Sequence, residues 1–222
     1  LSINIHLKTM QINNSPVDLE EIEKLNIAHY EENAESFRIG TQDHDVSQNI
    51  AALLDALPKE KTLDILDFGC GPGRDMRIFK ALGHRPVGLD GCKEFCKMAR
   101  EQSGCPTLNQ QFLKLELEEN SYDGIFANAS LFCIPSQELL RVLKELHSAI
   151  KNDGILFSSN PRGNAEGWQG QRYGHYMEFE TSQLFLQQAG FKIIEHYYRP
   201  AGKPREEQPW LAIVSQRQDL KS

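Results

Sequence analysis

The chain has 222 residues, 40% of them apolar and 25% charged, with a formal net charge of −7. That length suits one sizeable core, and the balance is that of an ordinary globular domain. The acidic surplus leaves no basic excess to neutralise phosphates, which argues against nucleic acid as a partner.

Residues 1–16 show no clear period and read as a tail or linker. Residues 17–222 read as one domain, with a helical cap over 17–57 and an alternating core over 58–217. In the cap, "VDLEEIEKLNIAHYEENAESF" (17–37) has the pattern of a charged amphipathic helix, followed by a polar break, "RIGTQD". "HDVSQNIAALLDAL" then places Val46, Ile50, Leu53, Leu54 and Leu57 on one helical face.

Beyond Pro58 strands and helices alternate. Strands are expected at 63–68, 85–90, 106–112, 122–130 and 153–160, and helices at 74–83, 93–104 and 136–150, the last with Ser136 as its N-cap. Residues 161–178, punctuated by Gly163, Gly167, Gly170 and Gly174, read as a long functional loop. A helix over 181–190 and two closing antiparallel strands complete the chain. The expected fold is α/β and Rossmann-like: a mostly parallel sheet, helices on both faces and a final antiparallel strand. Ligands of such sheets sit beyond the carboxyl ends of the strands.

Cys70, Cys92, Cys96, Cys105 and Cys133 form an odd set with no C-x-x-C and no zinc spacing, which points to a reducing, cytoplasmic compartment and no metal. No apolar run reaches transmembrane length, so no membrane partner is expected.

The stretch "DFGCGPGRD" (67–75) carries the main chemical signal. A triphosphate loop needs G-x-x-x-x-G-K-[S/T], which is absent, and a dinucleotide fingerprint needs a third glycine where Arg74 stands. The D-x-G-x-G-x-G arrangement, with an acidic residue ending the next strand at "VGLDG", resembles class I methyltransferases that use S-adenosylmethionine. The resemblance implies that Gly69, Gly71 and Gly73 let the backbone approach the cofactor, and that Asp67 supports the loop and the cofactor's amino group. It implies that Asp90, beside Gly91, accepts from the ribose hydroxyls. Gln111 and Phe112 would meet the adenine, Arg38 the cofactor's carboxylate, and Tyr30 and Phe37 would close over its methionine end.

The acceptor-side stretches are "HYEENAESF…GTQDHDVSQNIAALL", "FANASLFCIPSQELLRVLKELHSAI", "LFSSNPRGNAEGW…RYGHY" and "EHYYRPAGKPREEQPWLA". With the cofactor motifs they closely resemble the C-terminal methyltransferase module of ovothiol-biosynthesis enzymes, over about residues 27–217. The resemblance implies methyl transfer to the π imidazole nitrogen of 5-thiohistidine, giving ovothiol A. It implies fusion to, or association with, an iron-dependent sulfoxide synthase module, whose H-x-x-x-H-x-E ligand pattern this chain lacks.

Such an acceptor needs a group to orient or deprotonate its ring: Asn128, Asp45, Tyr173 or His175. It needs a cation for its carboxylate, Arg162 or Arg199, and an acceptor for its ammonium, Asp45 or Glu166, with Asn160 and Tyr197 nearby. Asn128 would also touch the cofactor. Blander roles stand beside these: Tyr197, Trp168 and Trp210 as packing groups, and His44, His175 and His196 as structural hydrogen bonders. Two other functions fit the same residues: a methyltransferase for another small amino acid or imidazole, and a non-catalytic cofactor-binding module of a larger enzyme.

Overall fold

The computed structural model describes residues 18–218, so the expected tail at 1–16 lies outside the described residues. Seven strands form one sheet in the order β3-β2-β1-β4-β5-β9-β8: β1 Asp64–Phe68, β2 Arg85–Asp90, β3 Thr107–Asn109, β4 Tyr122–Asn128, β5 Ile150–Pro161, β8 Phe191–Arg199 and β9 Trp210–Arg217. The pairs from β3 to β5 are parallel, and β9 runs antiparallel to both β5 and β8. The expected sheet, with its final reversed strand, is the one observed.

The alternation of side chains explains why the sheet is covered on both faces. Leu66, Phe68, Ile125, Ala127 and Leu156 point to the side packed by α6 (Ser136–Ala149) and α7 (Phe179–Gln188). Their neighbours Ile65, Phe126, Ile155 and Phe157 point the other way, against α3 (Ser47–Asp55) and Phe79 of α4 (Arg74–Ala81). The helix α5 (Lys93–Ser103) lies beside α4, β2 and β3.

The chain leaves β1 toward β2 and β3 on one side, then returns to lay β4 on the other. The crevice between the carboxyl ends of β1 and β4 is therefore the switch point at which open sheets of this kind bind ligands.

Four local expectations change. The helix foreseen over 17–37 is two, α1 (Leu19–Glu32) and α2 (Ala34–Thr41), broken at Asn33, whose side-chain amide donates to the His29 carbonyl at 2.8 Å. The "RIGT" segment read as a polar break continues α2. Ser136 is the first residue of α6 rather than its N-cap, and its N–H donates to the Glu166 carboxylate at 2.7 Å. The long loop at 161–178 contains a hairpin, β6 (Glu166–Gln169) and β7 (Arg172–His175), turning at Gly170 with φ +66°. Asn26 of α1 both accepts from the Tyr173 N–H at 2.8 Å and donates to the Tyr173 carbonyl at 3.2 Å. A side-chain amide thereby supplies the hydrogen bonds a neighbouring strand would have made, and α1 is pinned to the hairpin.

Among the described residues no helix is long and apolar enough to cross a membrane, and no group of three or more His, Cys, Asp or Glu side chains could hold a metal ion.

Candidate functional site

The loop after β1 is bent back onto β2: the N–H groups of Gly69 and Cys70 both donate to the Leu89 carbonyl, at 2.8 and 3.0 Å. Three glycines with φ of +78°, +50° and +90° make that bend, a conformation that L side chains resist. Their surroundings differ. A Cβ on Gly69 would lie 2.4 Å from Ser130 Cβ, and one on Gly73 would lie 2.6 Å from Ala99 Cα on α5. Both positions are glycine because protein packs against them. Gly71 has only Phe37 Cε1 near it, at 3.8 Å, so its bare face opens onto a cavity.

That cavity is about 610 Å³, a volume ordinary for a small-molecule site, and it lies at the switch point. Asp90 stands at one side. One carboxylate oxygen accepts the Gly71 N–H at 3.0 Å and the other the Cys92 N–H at 2.9 Å, so a single side chain fixes the loop after β1 to the loop after β2. Burial pushes its carboxyl up to about 6, against the lowering effect of those N–H donors. Asp67 lies beneath the loop, 2% exposed, with Oδ2 lacking a hydrogen-bond partner. Burial first, then the charges of Asp75 and Asp90, pushes it well above the usual carboxylate range.

Opposite Asp90, three aromatic rings close the cavity: Tyr30, Phe37 and Phe95, with centroids 5.2–5.8 Å apart. Phe112 lines the neighbouring wall, stacked on Phe68 at 4.4 Å. At the β4 end a buried chain of hydrogen bonds runs from the Tyr197 hydroxyl to Asn49 Oδ1 at 2.9 Å. Asn49 then donates to Asn128 Oδ1 at 2.9 Å, and Asn128 to Asp75 Oδ2 at 3.2 Å. Asp75 is held in turn by the Arg74 guanidinium, which also donates to the Thr41 carbonyl at 2.8 Å. Arg199, which also borders the cavity, donates to the Asp45 carbonyl at 2.9 Å, and the Asp45 carboxylate is lowered by the Ser47 hydroxyl and then by the Ser47 N–H that it accepts.

The structure brings Tyr30, Phe37, Asp45, Gly69, Gly71, Asp90, Gly91, Phe112, Asn128 and Arg199 to this one cavity. Gly91 serves α1 as well, since a Cβ there would lie 2.9 Å from Ile27 Cδ1. Other expected residues lie elsewhere, each with a partner that explains its position. Arg38 is on the outer side of α2, paired with Glu35 and Gln42. Gln111 is exposed in the turn after β3. Gly73 faces α5, and Asp67 is shielded by the loop it supports. Arg162 is spent on the carbonyls of Gln208 and Arg205 and on Glu178. Glu166 caps α6 and accepts from the Tyr173 hydroxyl at 2.9 Å. Asn160 accepts the Phe132 N–H at 3.1 Å, and Tyr197 is committed to Asn49. His175 is 7% exposed and lies against Phe185, and burial lowers its pKa. Asn128 borders the cavity, but its amide oxygen and nitrogen are both engaged, which suits a rigid wall better than a proton acceptor.

Sequence reasoning missed Arg74, Asp75 and Arg172, all of which line the cavity. Arg172 was legible in principle: a hairpin turning at Gly170 puts Arg172 and Tyr173 on opposite faces of β7.

Residues 66–158 match the family described as a methyltransferase domain. A malonyl-[acyl-carrier protein] O-methyltransferase from Pectobacterium atrosepticum is 28% identical over 123 residues, 53% of this chain and 48% of that protein. A trans-aconitate 2-methyltransferase from Azoarcus sp. is 29% identical over 116 residues, 51% of this chain and 45% of that protein. The chain thus spans about half the length of the curated relatives it matches. In three dimensions the fold is similar to the 1,6-didemethyltoxoflavin-N1-methyltransferase of Burkholderia thailandensis, with a TM-score of 0.74, 20% identity, and coverage of 96% of this chain and 99% of that one. Residues 66–158 thus match a methyltransferase domain that would use S-adenosylmethionine, within a fold similar to that of a methyltransferase solved with S-adenosylhomocysteine.

The cavity of this methyltransferase domain fits such a cofactor on its own evidence. Gly71 leaves its backbone uncovered, and each Asp90 oxygen keeps a further acceptor site after taking one N–H. Phe112 offers an apolar face between the two loops.

Proposed function

We propose that this domain transfers a methyl group from S-adenosylmethionine to the π imidazole nitrogen of 5-thiohistidine, forming ovothiol A. The observation that carries the reading is convergence. Residues 44–46, 128–135, 172 and 199–200 come from acceptor-side stretches scattered over the sequence, and they surround one cavity beside the glycine loop. Those stretches also carry the resemblance to the ovothiol methyltransferase module.

The bound cofactor supplies an electrophilic methyl group on a sulfonium. That methyl group would pass to a ring nitrogen carrying a free lone pair, the cofactor leaving as the neutral thioether and the ring giving up a proton to solvent. Such a reaction is served mainly by alignment. In this reading Gly71, Asp90, Gly91 and Phe112 hold the cofactor, and Tyr30, Phe37 and Phe95 exclude water from the transfer path. Asp45 receives the acceptor's ammonium and Arg199 its carboxylate, while the fixed amide of Asn128 bounds the ring. An iron-dependent sulfoxide synthase module, fused or associated, would provide the carbon–sulfur bond of the substrate. The five free thiols suit a reducing cytoplasm.

The test is to incubate the purified chain with S-adenosylmethionine and 5-thiohistidine, with histidine as control, and follow products by mass spectrometry. Addition of one CH₂ to the thiolated compound alone is the expected result. No product while S-adenosylhomocysteine still binds would overturn the acceptor assignment and leave the domain assignment intact.

A further inference from the structure

Tyr30, Cys133 and Arg172 come together in the wall of the cavity with no carboxylate among them. The Tyr30 hydroxyl, from α1, lies 4.0 Å from Cys133 Sγ, a contact too long to satisfy either group fully. Arg172, from β7, lies beside the same hydroxyl and borders the same cavity. The groups whose charge reaches its guanidinium are Tyr30, Cys133 and Tyr176, and none of them is a carboxylate. Of the other cavity arginines, Arg74 is paired with Asp75, and Arg199 gives one N–H to the Asp45 carbonyl.

Neither neighbour of Arg172 becomes an anion to neutralise it. Burial raises the Tyr30 phenol, and burial likewise pushes the Cys133 thiol up to about 12. Asp90, the carboxylate whose charge reaches Cys133, accepts two backbone N–H groups, and in the reading above its remaining acceptor sites go to the cofactor. The Arg172 guanidinium bonds the Tyr30 oxygen, and its remaining N–H groups are exposed at the cavity beside an O–H and an S–H, with no carboxylate to neutralise the charge. That cationic group of donors favours a ligand group rich in lone pairs and negatively charged.

We propose that Tyr30, Cys133 and Arg172 form an anion subsite that holds a negatively charged group of the methyl acceptor. Naming that group as the ring thiolate rests on the function proposed above; the preference for an anion rests on the donors alone. The assignment separates the acceptor's two negative charges, with the carboxylate at Arg199 and the ring substituent at Arg172. Two fixed points on a planar ring leave it little freedom to rotate, so the subsite would also select which ring nitrogen faces the methyl group.

The experiment has two arms on the whole chain. In the first, the complex with S-adenosylhomocysteine is titrated calorimetrically with 5-thiohistidine and with histidine, for the wild type, Arg172→Gln and Tyr30→Phe. The subsite predicts that Arg172→Gln weakens 5-thiohistidine by about tenfold or more, leaves the weaker histidine binding unchanged, and leaves S-adenosylhomocysteine affinity within about twofold. Tyr30→Phe should weaken 5-thiohistidine in the same direction. In the second arm, crystals are soaked in iodide, and an anomalous peak at Arg172 in the wild type, absent from Arg172→Gln, is expected. Equal 5-thiohistidine affinity in wild type and Arg172→Gln, or no iodide at Arg172, would overturn the subsite. Iodide bound at Arg172 in a protein that ignores 5-thiohistidine would sustain the subsite and overturn the named acceptor.

Discussion

Asp90 shows how one side chain carries both architecture and chemistry. Its oxygens fix the two loops that border the cofactor space, so Asp90→Ala should weaken S-adenosylmethionine by about tenfold or more, measured by calorimetry. The raised carboxyl adds a pH dependence of definite sign. A group whose folded pKa is about 6 binds its proton more tightly folded than unfolded, so ionising it costs stability as pH rises from about 4 to about 6. Relative to Asp90→Ala, the ligand-free wild type should lose about 2 kcal/mol between pH 4 and pH 7 in urea unfolding, a figure reduced because the carboxyl opens onto the cavity. The opposite slope would refute the raised value. Two glycines of the loop after β1 separate packing from binding in a similar way. Gly73→Ala should cost about 2–4 kcal/mol of stability, from its left-handed backbone and the overlap with Ala99. Gly71→Ala should cost only about 1–2 kcal/mol while cofactor affinity falls, because its side chain would enter open cavity. Gly69, Gly71 and Asp90 were legible in sequence because a short loop between a buried strand and a helix leaves few places to go. Arg38 was not, because one turn of helix decides whether a cation faces the cavity or its own Glu35.

At the scale of elements, strand–helix alternation foretold β1 to β5 and the helices between them, since each apolar run must be buried on both faces. The hairpin at 166–175 escaped notice because its strands are four residues long and pair only with each other, while its outer partner is a side chain of α1. The acceptor side suffered most from that omission: Tyr173, Glu166 and His175 face the protein, and Arg172 faces the cavity. Arg162 illustrates the same point. It stands in a polar stretch expected to touch substrate, yet it ties β5 to the segment at 205–208 and to Glu178. Arg162→Ala should therefore lower stability by about 1–3 kcal/mol in urea unfolding, since carbonyls and a carboxylate lose a charged donor. The acceptor's KM should stay within about twofold; a large rise in KM with unchanged stability would return Arg162 to the substrate.

Over the whole molecule, the helices before β1 are joined to the sheet by polar contacts as well as apolar ones. The chain from Tyr197 through Asn49 and Asn128 to Asp75, and on through Arg74 to Thr41, links β8, α3, β4, α4 and α2 in one buried path. Asn49→Leu would leave the Asn128 carbonyl and the Tyr197 hydroxyl without their partner. A loss of about 2–3 kcal/mol is expected, together with faster hydrogen exchange in α2 and α3. A fully exchanged α2 in the wild type would argue against the linkage. The path as a whole could not be read before the strands were placed: bonded members as far apart in sequence as Tyr197 and Asn49, separated by 148 positions, become neighbours only in the fold.

The order β5-β9-β8 sets the schedule by which the chain can be assembled as it is synthesised. β8 is made before β9 yet has no place in the sheet until β9 has been inserted between it and β5. Until then β5 presents an open edge, and Arg199 at the end of β8 and Trp210 at the start of β9 cannot reach the cavity they border. Among the described residues the cavity is thus completed by the last strand to emerge, so a nascent chain stalled before residue 210 would lack the part of the wall that Arg199 and Trp210 form.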